Sequence, residues 1–538
     1  MKTKISTLFV GFGLTAASLM TTGCIEETFP TSGATEEQLG ASAKATEALV
    51  WAMPAYLNTP LSHTGSRHYE WGYGAMMHIR DVMTTDYSVP AISYDWFANW
   101  ATNTYQGESY VYNQYVWNFY WKSVQTTNNL IGAIDENNAT NDQLGMLGVG
   151  LAFRAMYYLD MAQMFEFLPN DKTSNINAAG NDVLNLTVPI VRDGMTEAQA
   201  RSNPRATREE MAAFIIGDLD KAEQYIVNTP YAGNKALPDL ACVYGLKARY
   251  YMWLAGEGKD EQNLNNAKKY ARLAINLGGD PMTQEECLSP TNGFNTLSCW
   301  MWGSQLVAED DAVKTGIINW TSWMSNETDF GYAAAGAYNM IDAGMYHRMS
   351  DTDFRKLMWK APAGTALDGK SQWLKAAYAS STPEYGSLKF RPANGAYQTP
   401  EEGAVSAYPL MRVEEMYFIE AEAEARLTGS SDLLKSFMKT YRDPQYKCLA
   451  TGNALIEEII FQKRVELWGE GFSLFDLLRL KKPLVRKEAG FSGNCTWEDV
   501  QPGYNSLIYM IPDIEINSNQ GISADDNNEA VVPPAPLG

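Results

Sequence analysis

A series of amphipathic helical segments joined by short polar turns most constrains what this chain can fold into. Over residues 115–134 the apolar positions Val116, Phe119, Tyr120, Val124, Leu130, Ile131 and Ile134 recur mostly at three- and four-residue spacing, the period of one helix face. After an Asn/Thr/Asp turn, a second helix is predicted over 142–167 through Leu144, Leu147, Leu151, Met156, Leu159 and Phe165, with Pro169 marking its end. The two would form an antiparallel hairpin. Thr207-Arg208-Glu209-Glu210 reads as an N-cap with acids in the first turn, opening a helix through Phe214, Ile215, Leu219, Ala222 and Ile226. Partner helices are expected over 239–254 and 263–277, the last carrying Ala267, Ala271 and Ala274, small enough for close helix approach. The chain has 538 residues, and a single hydrophobic core stops growing at about 250–300, so several cores or a stacked array is required.

Helix pairs of this length match the layout of tetratricopeptide solenoids, although the strict 34-residue signature is not visible, so the repeats read as degenerate. Residues 280–405 differ. Gly, Pro, Asn, Ser and Trp rise there, helical periodicity breaks, and only short helices such as 353–360 are predicted, which marks a separate loop-rich lobe. Helical pattern returns over 410–427, 433–441, 454–468 and 474–480, and the tail from Pro512 is Asn/Asp/Pro-rich. Near the other end, residues 43–57 have a helical pattern. The reading is mostly α, with residues 41–279 as an N-terminal helical part, 280–405 as the lobe and 406–538 as a C-terminal helical part with a surface tail.

The first 27 residues set the compartment. Lys2 and Lys4 precede an apolar run from Leu8 to Met20 that is too short to span a bilayer comfortably, so residues 1–23 read as a secretory signal peptide. Thr21-Thr22-Gly23-Cys24 resembles the bacterial lipoprotein box, cut before Cys24 and acylated there, with Thr21 where Leu is usual. Glu26-Glu27 resembles the signal that Bacteroidetes lipoproteins use for export to the cell surface, and residues 24–40 read as a tether.

Removing the leader takes two lysines and no acid, moving the formal charge from −21 to −23. Basic residues form only short clusters such as Lys268-Lys269 and Lys481-Lys482, which argues against a nucleic-acid partner. Beyond Cys24 the cysteines are Cys242, Cys287, Cys299, Cys448 and Cys495, an odd number that cannot all pair, so disulfides are not the framework. Cys287 and Cys299 lie in a Gly/Pro/Asn-containing stretch where a bridge is open, while Cys242 reads as a small core residue. His63, His68, His78 and His347 show no paired-ligand spacing and no C-x-x-C is present, so no metal or cofactor is expected. Aromatic side chains are what the chain has in excess: 15 Trp, 30 Tyr and 19 Phe, many in Asn/Gly/Thr-rich stretches that suit binding faces.

Four stretches together resemble the SusD/RagB family of Bacteroidetes outer-membrane nutrient-binding lipoproteins. The run 149–169 carries Arg154, Ala155, Tyr158 and Pro169 of that family's helix, with Glu166 replacing the usual Gly. Val188-Pro189-Ile190-Val191, Pro204-Arg205-Ala206-Thr207 and Ile216-Gly217-Asp218-Leu219 follow in the family's order. Tyr408-Pro409-Leu410-Met411-Arg412-Val413-Glu414-Glu415 continues to Glu420-Ala421-Glu422-Ala423, with Glu414 where Ala is usual. Arg464-Val465-Glu466-Leu467, Glu470-Gly471, Phe475-Asp476-Leu477-Leu478-Arg479 and Ile511-Pro512 to Asn519 complete the match, which is weakest over 285–400. The resemblance implies a tetratricopeptide-like superhelix that packs on a TonB-dependent, SusC-like outer-membrane transporter. It also implies a loop-rich lobe that captures oligosaccharides, or in some members peptides, at the cell surface without cleaving them.

Binding a neutral glycan needs flat apolar faces for its C–H surfaces and a few polar groups for its hydroxyls. Arg80, Asp81, Asp86 and Tyr87, leading to Tyr94-Asp95-Trp96-Phe97-Ala98-Asn99-Trp100 and Tyr105, fit that pattern. The Trp-x-x-Asn spacing of Trp96 and Asn99 matches the ligand loop of the starch-binding family member. A second cluster is Trp300, Trp302, Trp320 and Trp323 with Asn319, Asn326 and Tyr338, in which Trp300 and Trp302 share one fate if their segment is extended. The candidate ligand residues are therefore Arg80, Asp81, Trp96, Asn99, Trp100, Trp300, Trp302, Trp320 and Tyr338. Tyr157-Tyr158 and Tyr250-Tyr251 lie on predicted helices and read as packing between repeats. Arg464, Glu466, Asp476 and Arg479 read as inter-helix ion pairs or caps, and Glu414 to Glu424 as a solvated or transporter-facing helix side. A helical glycoside hydrolase or lyase is the competing class. It would need two carboxylates about 5 to 9.5 Å apart, with Asp81, Asp86, Asp95 and Glu108 as candidates by type alone.

Overall fold

The computed structural model describes residues 43–60, 67–89, 94–167, 176–177, 179–291, 293–482, 484–486 and 507–528. The leader, Cys24, the tether at 24–40, Pro169 and Cys495 lie outside the described residues.

The principal helices of the body are α1 (Ala43–Tyr56), α2 (Gly72–Val82), α3 (Val111–Gly132), α4 (Asn141–Phe165), α5 (Arg208–Tyr225), α6 (Leu240–Ala255) and α7 (Glu261–Leu277). After the lobe come α8 (Val413–Thr428), α9 (Asp432–Tyr441), α10 (Asn453–Glu466) and α11 (Ser473–Arg479). Their starts follow the expected capping chemistry. Thr140 and Gln143 form a reciprocal capping box at α4, and Thr207 and Glu210 another at α5. Each satisfies two backbone donors that the first helical turn leaves without partners.

From α3 to α7 each helix packs on its predecessor, as in a tetratricopeptide array. Close approach is built into α4, where a Cβ at Gly145 would sit 2.3 Å from the Thr229 nitrogen and one at Gly148 would sit 2.7 Å from the Ile226 nitrogen. Tyr157, Tyr158 and Tyr250 are buried between these helices, as packing residues. The array then skips the lobe: α7 packs directly on α8, and α8 on α10.

The lobe is thus an excursion between α7 and α8, closed at its base by strands. β2 (Trp302–Gln305) pairs antiparallel with β4 (Ala407–Met411), with Ser304 opposite Tyr408 and a bulge between Trp302 and Gly303. The expected helix from residue 410 therefore begins only at Val413, because Leu410 and Met411 are committed to this ladder. A second pair joins β1 (Tyr87–Ser88) to β3 (Met340–Ile341), stitching the N-terminal part to the lobe. Between the strands lie short helices such as Trp320–Met324, Gly331–Ala334 and the 3-10 turn Phe354–Met358. The lobe has no separate core, since Trp300, Trp302, Trp320 and Trp323 belong to the same hydrophobic cluster as Val50, Phe153 and Leu246 of the body. A smaller cluster around Phe418, Phe437, Met438 and Ile459 joins α8, α9 and α10.

The acids of α8 correct the expectation of a solvated side. Glu414, Glu415, Glu420 and Glu422 are all buried. Glu415 pairs with Arg249 at 2.6 Å, Glu420 with Arg272, Glu422 with Arg479 at 2.6 Å and Glu424 with Lys268. The cations come from helices on either side, so the charges cement the stack instead of facing water. Glu414 enters a larger group at the seam between body and lobe, where Arg355, Lys389, Arg412 and Arg442 meet Asp353, Glu414, Glu466 and Glu470. Arg412 donates to both Glu466 and Glu470, and Arg442 holds Glu466 bidentately at 2.8 and 2.9 Å. Asp476 pairs with Lys463 and Arg479, and Arg464 pairs with Asp86, as structural ion pairs. Cys242, Cys287, Cys299 and Cys448 are all free thiols, so the open Cys287–Cys299 bridge is not formed, and the Cys299 thiol instead contacts Glu286.

Candidate functional site

Core packing takes up most of the aromatic excess and shows what is left for binding. Among the described residues, Tyr94, Trp96, Tyr105, Tyr110, Phe330, Tyr338, Trp373, Tyr378 and Tyr397 belong to neither hydrophobic cluster. All nine lie in two stretches, 94–110 and 330–397. The most open of them in the first stretch that face the lobe are Tyr94 and Trp96, with relative exposures of 36% and 38%.

These two rings rest on a backing built from distant residues. His68 stacks on Trp96 with centroids 5.0 Å apart and planes at 27°, and its Nδ1 is hydrogen-bonded to the Tyr332 hydroxyl at 2.9 Å. The Trp96 backbone N–H donates to the same Tyr332 oxygen at 3.3 Å, and Tyr94 meets the Tyr332 ring edge-on at 5.7 Å. Asp95 is buried and accepts from the Phe97 N–H at 2.8 Å, closing a turn just before the 3-10 segment Ala98–Thr102, while its neighbours Tyr94 and Trp96 stand half in solvent. Burial pushes the Asp95 carboxyl up to about 6 and the His68 imidazole down to about 4. At neutral pH the imidazole is therefore an uncharged flat ring. Asn99 is half-buried and donates to the Tyr112 hydroxyl at 3.1 Å, extending the face toward the Tyr105, Tyr110 and Tyr112 rings. Stacked rings beside amide and hydroxyl groups suit the C–H faces and hydroxyls of a sugar.

The other expected ligand residues have different surroundings. Arg80 is fully buried and donates from Nε to the Gly471 carbonyl at 2.9 Å and from Nη1 to Asp160 at 2.9 Å, while Asp81 accepts from the Gly471 N–H at 2.9 Å. The pair clamps α2 to the C-terminal part, at a glycine with φ of 77° whose added Cβ would sit 2.8 Å from the Met77 Cα. Trp100 is buried edge-on against Tyr112 at 4.9 Å. Trp300 and Trp302 share burial, Trp302 standing edge-on to Phe153 at 4.8 Å. Trp320 is enclosed between Tyr408 at 5.1 Å and Phe390 at 5.3 Å. For the four tryptophans the reason is common: each packs into the hydrophobic cluster shared by loop, lobe and body. Tyr338 is half-buried beside Asn339, whose N–H donates to Asn326 at 2.9 Å. Sequence reasoning missed His68 and Tyr332, since nothing local marks a bond spanning 264 residues.

The carboxylates of the hydrolytic alternative have structural partners. Asp81 holds Gly471, Asp86 is bound by Arg464 and Ser473, Asp95 accepts from the Phe97 N–H and Glu108 accepts from Asn527. Among the described residues no group of three or more His, Cys, Asp or Glu is placed to hold a metal ion, and no helix is long and apolar enough to cross a membrane.

A helical array bearing a loop lobe with an outward aromatic face defines a scaffold of the ligand-binding class. Residues 57–252 match the SusD-like family model described as starch-binding associating with outer membrane, and residues 368–524 match the SusD family model. The chain belongs to the SusD/RagB family, whose proteins bind ligands and are not enzymes. Among solved structures, a SusD-like carbohydrate-binding protein from Bacteroides vulgatus is 21% identical, with 90% of this chain and 97% of that one covered at a TM-score of 0.67. A SusD homologue from Bacteroides thetaiotaomicron is 13% identical over 92% and 99%, with a TM-score of 0.64. A laminarin-binding SusD-like protein is 17% identical over 89% and 98%, with a TM-score of 0.59. At these identities the likeness establishes the fold. No curated protein is significantly similar in sequence.

Proposed function

We propose that this chain is a lipid-anchored outer-membrane protein that captures oligosaccharides on the Tyr94–Trp96 face and delivers them to a TonB-dependent, SusC-like transporter. The observation that carries the reading is the His68–Tyr332 backing, which fixes two half-exposed rings that no core requires. Holding Trp96 flat before ligand arrives lowers the entropy lost on binding. Asn99 supplies an amide at the rim, and Tyr338 is a further contact of the same lobe. Trp100 supports the face from behind through Tyr69, which meets both Trp96 and Trp100, while Arg80, Asp81, Trp300, Trp302 and Trp320 hold the body together.

Cys24 is the proposed lipid attachment point and Glu26-Glu27 the proposed cue for surface exposure. The helical array is the surface proposed to meet the transporter. The laminarin-binding relative makes a β-glucan the first ligand to try. Native affinity electrophoresis against laminarin, starch, fructan and mannan, beside a peptide panel, tests the reading. Retardation by a glycan that Trp96→Ala abolishes supports it, whereas retention of peptides alone, or shortening of the glycan during incubation, overturns it.

A further inference from the structure

Two of the remaining rings of the lobe, Tyr378 and Tyr397, lie together and meet edge to face at 5.8 Å and 87°. The Lys375 ammonium sits over both rings, at 5.4 and 5.3 Å from their centroids. Asp329 accepts from the Tyr378 hydroxyl at 2.7 Å, pairs with Lys375 at 3.4 Å and lies 3.5 Å from the Gln398 amide nitrogen.

Two residues before Lys375 stands Trp373, half-buried, outside both hydrophobic clusters and, among the described residues, without an aromatic ring partner. Its backbone is nonetheless held on both sides by one buried ion pair. Arg391 and Glu327 face each other at 2.6 Å, with side-chain exposures of 3% and 0%. Arg391 Nη2 donates to the Gln372 carbonyl before Trp373 at 2.7 Å, and Glu327 Oε1 accepts from the Leu374 N–H after it at 2.8 Å. Burying two charges is costly unless they are paired and hydrogen-bonded, and here each partner sends one bond to a peptide group flanking one tryptophan, while Arg391 Nε donates to the Leu388 carbonyl at 3.1 Å. Such a clamp has little to add to the core, because the ring it positions is not part of the core. It presets a side chain for contact with something outside the chain.

We propose that Trp373, with Tyr397, Lys375, Asp329 and Gln398, forms a second sugar-binding subsite for the same neutral glycan that the Trp96 face engages. The inference rests on the glycan reading above. Its geometry supports continuity: Asp329 and Tyr332 are three residues apart, so their Cα atoms are at most about 11 Å apart. One short stretch of chain therefore carries the carboxylate of one subsite and the backing hydroxyl of the other. A single sugar reaches one subsite, and a longer oligosaccharide spans both.

Affinity electrophoresis and calorimetry with laminarin, starch, fructan and mannan, and with a length series of oligosaccharides from the polymer that binds, test the subsite. Trp373→Ala and Tyr397→Ala are expected to weaken binding of long chains about three- to tenfold, with the shortest binding oligosaccharide unaffected. Trp373→Phe should restore most of the loss. Trp96→Ala should weaken short and long ligands alike. Thermal melts establish that each variant is folded. Long chains bound as tightly by Trp373→Ala and Tyr397→Ala as by the wild type overturn the subsite and leave the Trp96 reading standing. If none of the four polymers binds the wild-type chain, the glycan reading falls and takes the subsite with it.

Discussion

At the seam between body and lobe, eight charged side chains are buried against one another, whereas at the loop face aromatic rings that no core has taken stand half in solvent. Half of the first group, Arg412, Glu414, Glu466 and Glu470, comes from the motif stretches by which the family resemblance was read, and the lobe and the end of α9 supply its other members, Asp353, Arg355, Lys389 and Arg442. The second, Tyr94, Trp96, Trp373 and Tyr397, lies where the match is short or weakest. Partner geometry explains the contrast. A buried ion network tolerates no change at any member, since removing one leaves another charge uncompensated. A stacking face needs only a flat ring at roughly the right place, so its residues can change with the ligand.

The sharpest way to break that contrast is to exchange stability for binding at the wrong tryptophan. Trp320→Ala should cost about 3–5 kcal/mol in chemical unfolding, because a fully enclosed ring is removed. Glu466→Ala should cost a similar amount, about 3–5 kcal/mol, by taking one carboxylate from each of three buried guanidiniums and leaving their charge only partly compensated, and should leave glycan affinity of the folded fraction intact. Gly471→Ala comes next, at about 1–3 kcal/mol, since its positive φ and the nearby Met77 backbone both resist a Cβ. In the opposite direction, Trp96→Ala should leave unfolding free energy within about 0.5–1 kcal/mol of wild type while reducing glycan affinity about tenfold.

Acid gives the smallest and most graded test. His68 is held neutral by burial, with its pKa lowered to about 4, so its contribution is full above the ordinary imidazole value and is lost progressively as pH falls toward 4. Glycan binding should begin to change near pH 6, where Asp95 takes up a proton, and weaken further as pH approaches 4, and His68→Phe should remove the lower step. For Glu466 burial favours the neutral acid, but Arg442, Arg412 and Arg355 outweigh it and hold the carboxyl well below its usual range. Its stabilisation is therefore present above the ordinary carboxylate value, and the seam should survive acid that already disturbs the loop face. Loss of near-UV dichroism before loss of binding would reverse that order.

Helices were legible because their signal is local. The 3.6-residue period over 115–134 and the Thr207 cap identify α3 and α5 within a few residues of their observed limits. The tryptophans of the lobe were not, because a single Trp in an irregular stretch carries no sign of whether it faces core or solvent. Only the shared burial of Trp300 and Trp302 followed from their spacing. The acids of α8 misled for a related reason: the cations that neutralise them, Arg249, Arg272 and Arg479, lie 57 to 166 residues away. Trp96 and Asn99 could be picked out by type and spacing, whereas the His68–Tyr332 bond that sets the ring plane is invisible without the fold.

The direct packing of α7 on α8 has a consequence for how the chain comes to be made. Some 135 residues separate the two helices, and closing a loop of that length costs about 4 kcal/mol in chain entropy before any contact repays it. A chain that emerges N-terminus first will therefore display the side of α7 that carries Lys268 and Arg272, the partners of Glu424 and Glu420 on α8, while the whole lobe is still to come. Until α8 arrives, part of α7 stays uncovered, and slowing synthesis midway through the lobe should favour aggregation more than slowing it anywhere after residue 428.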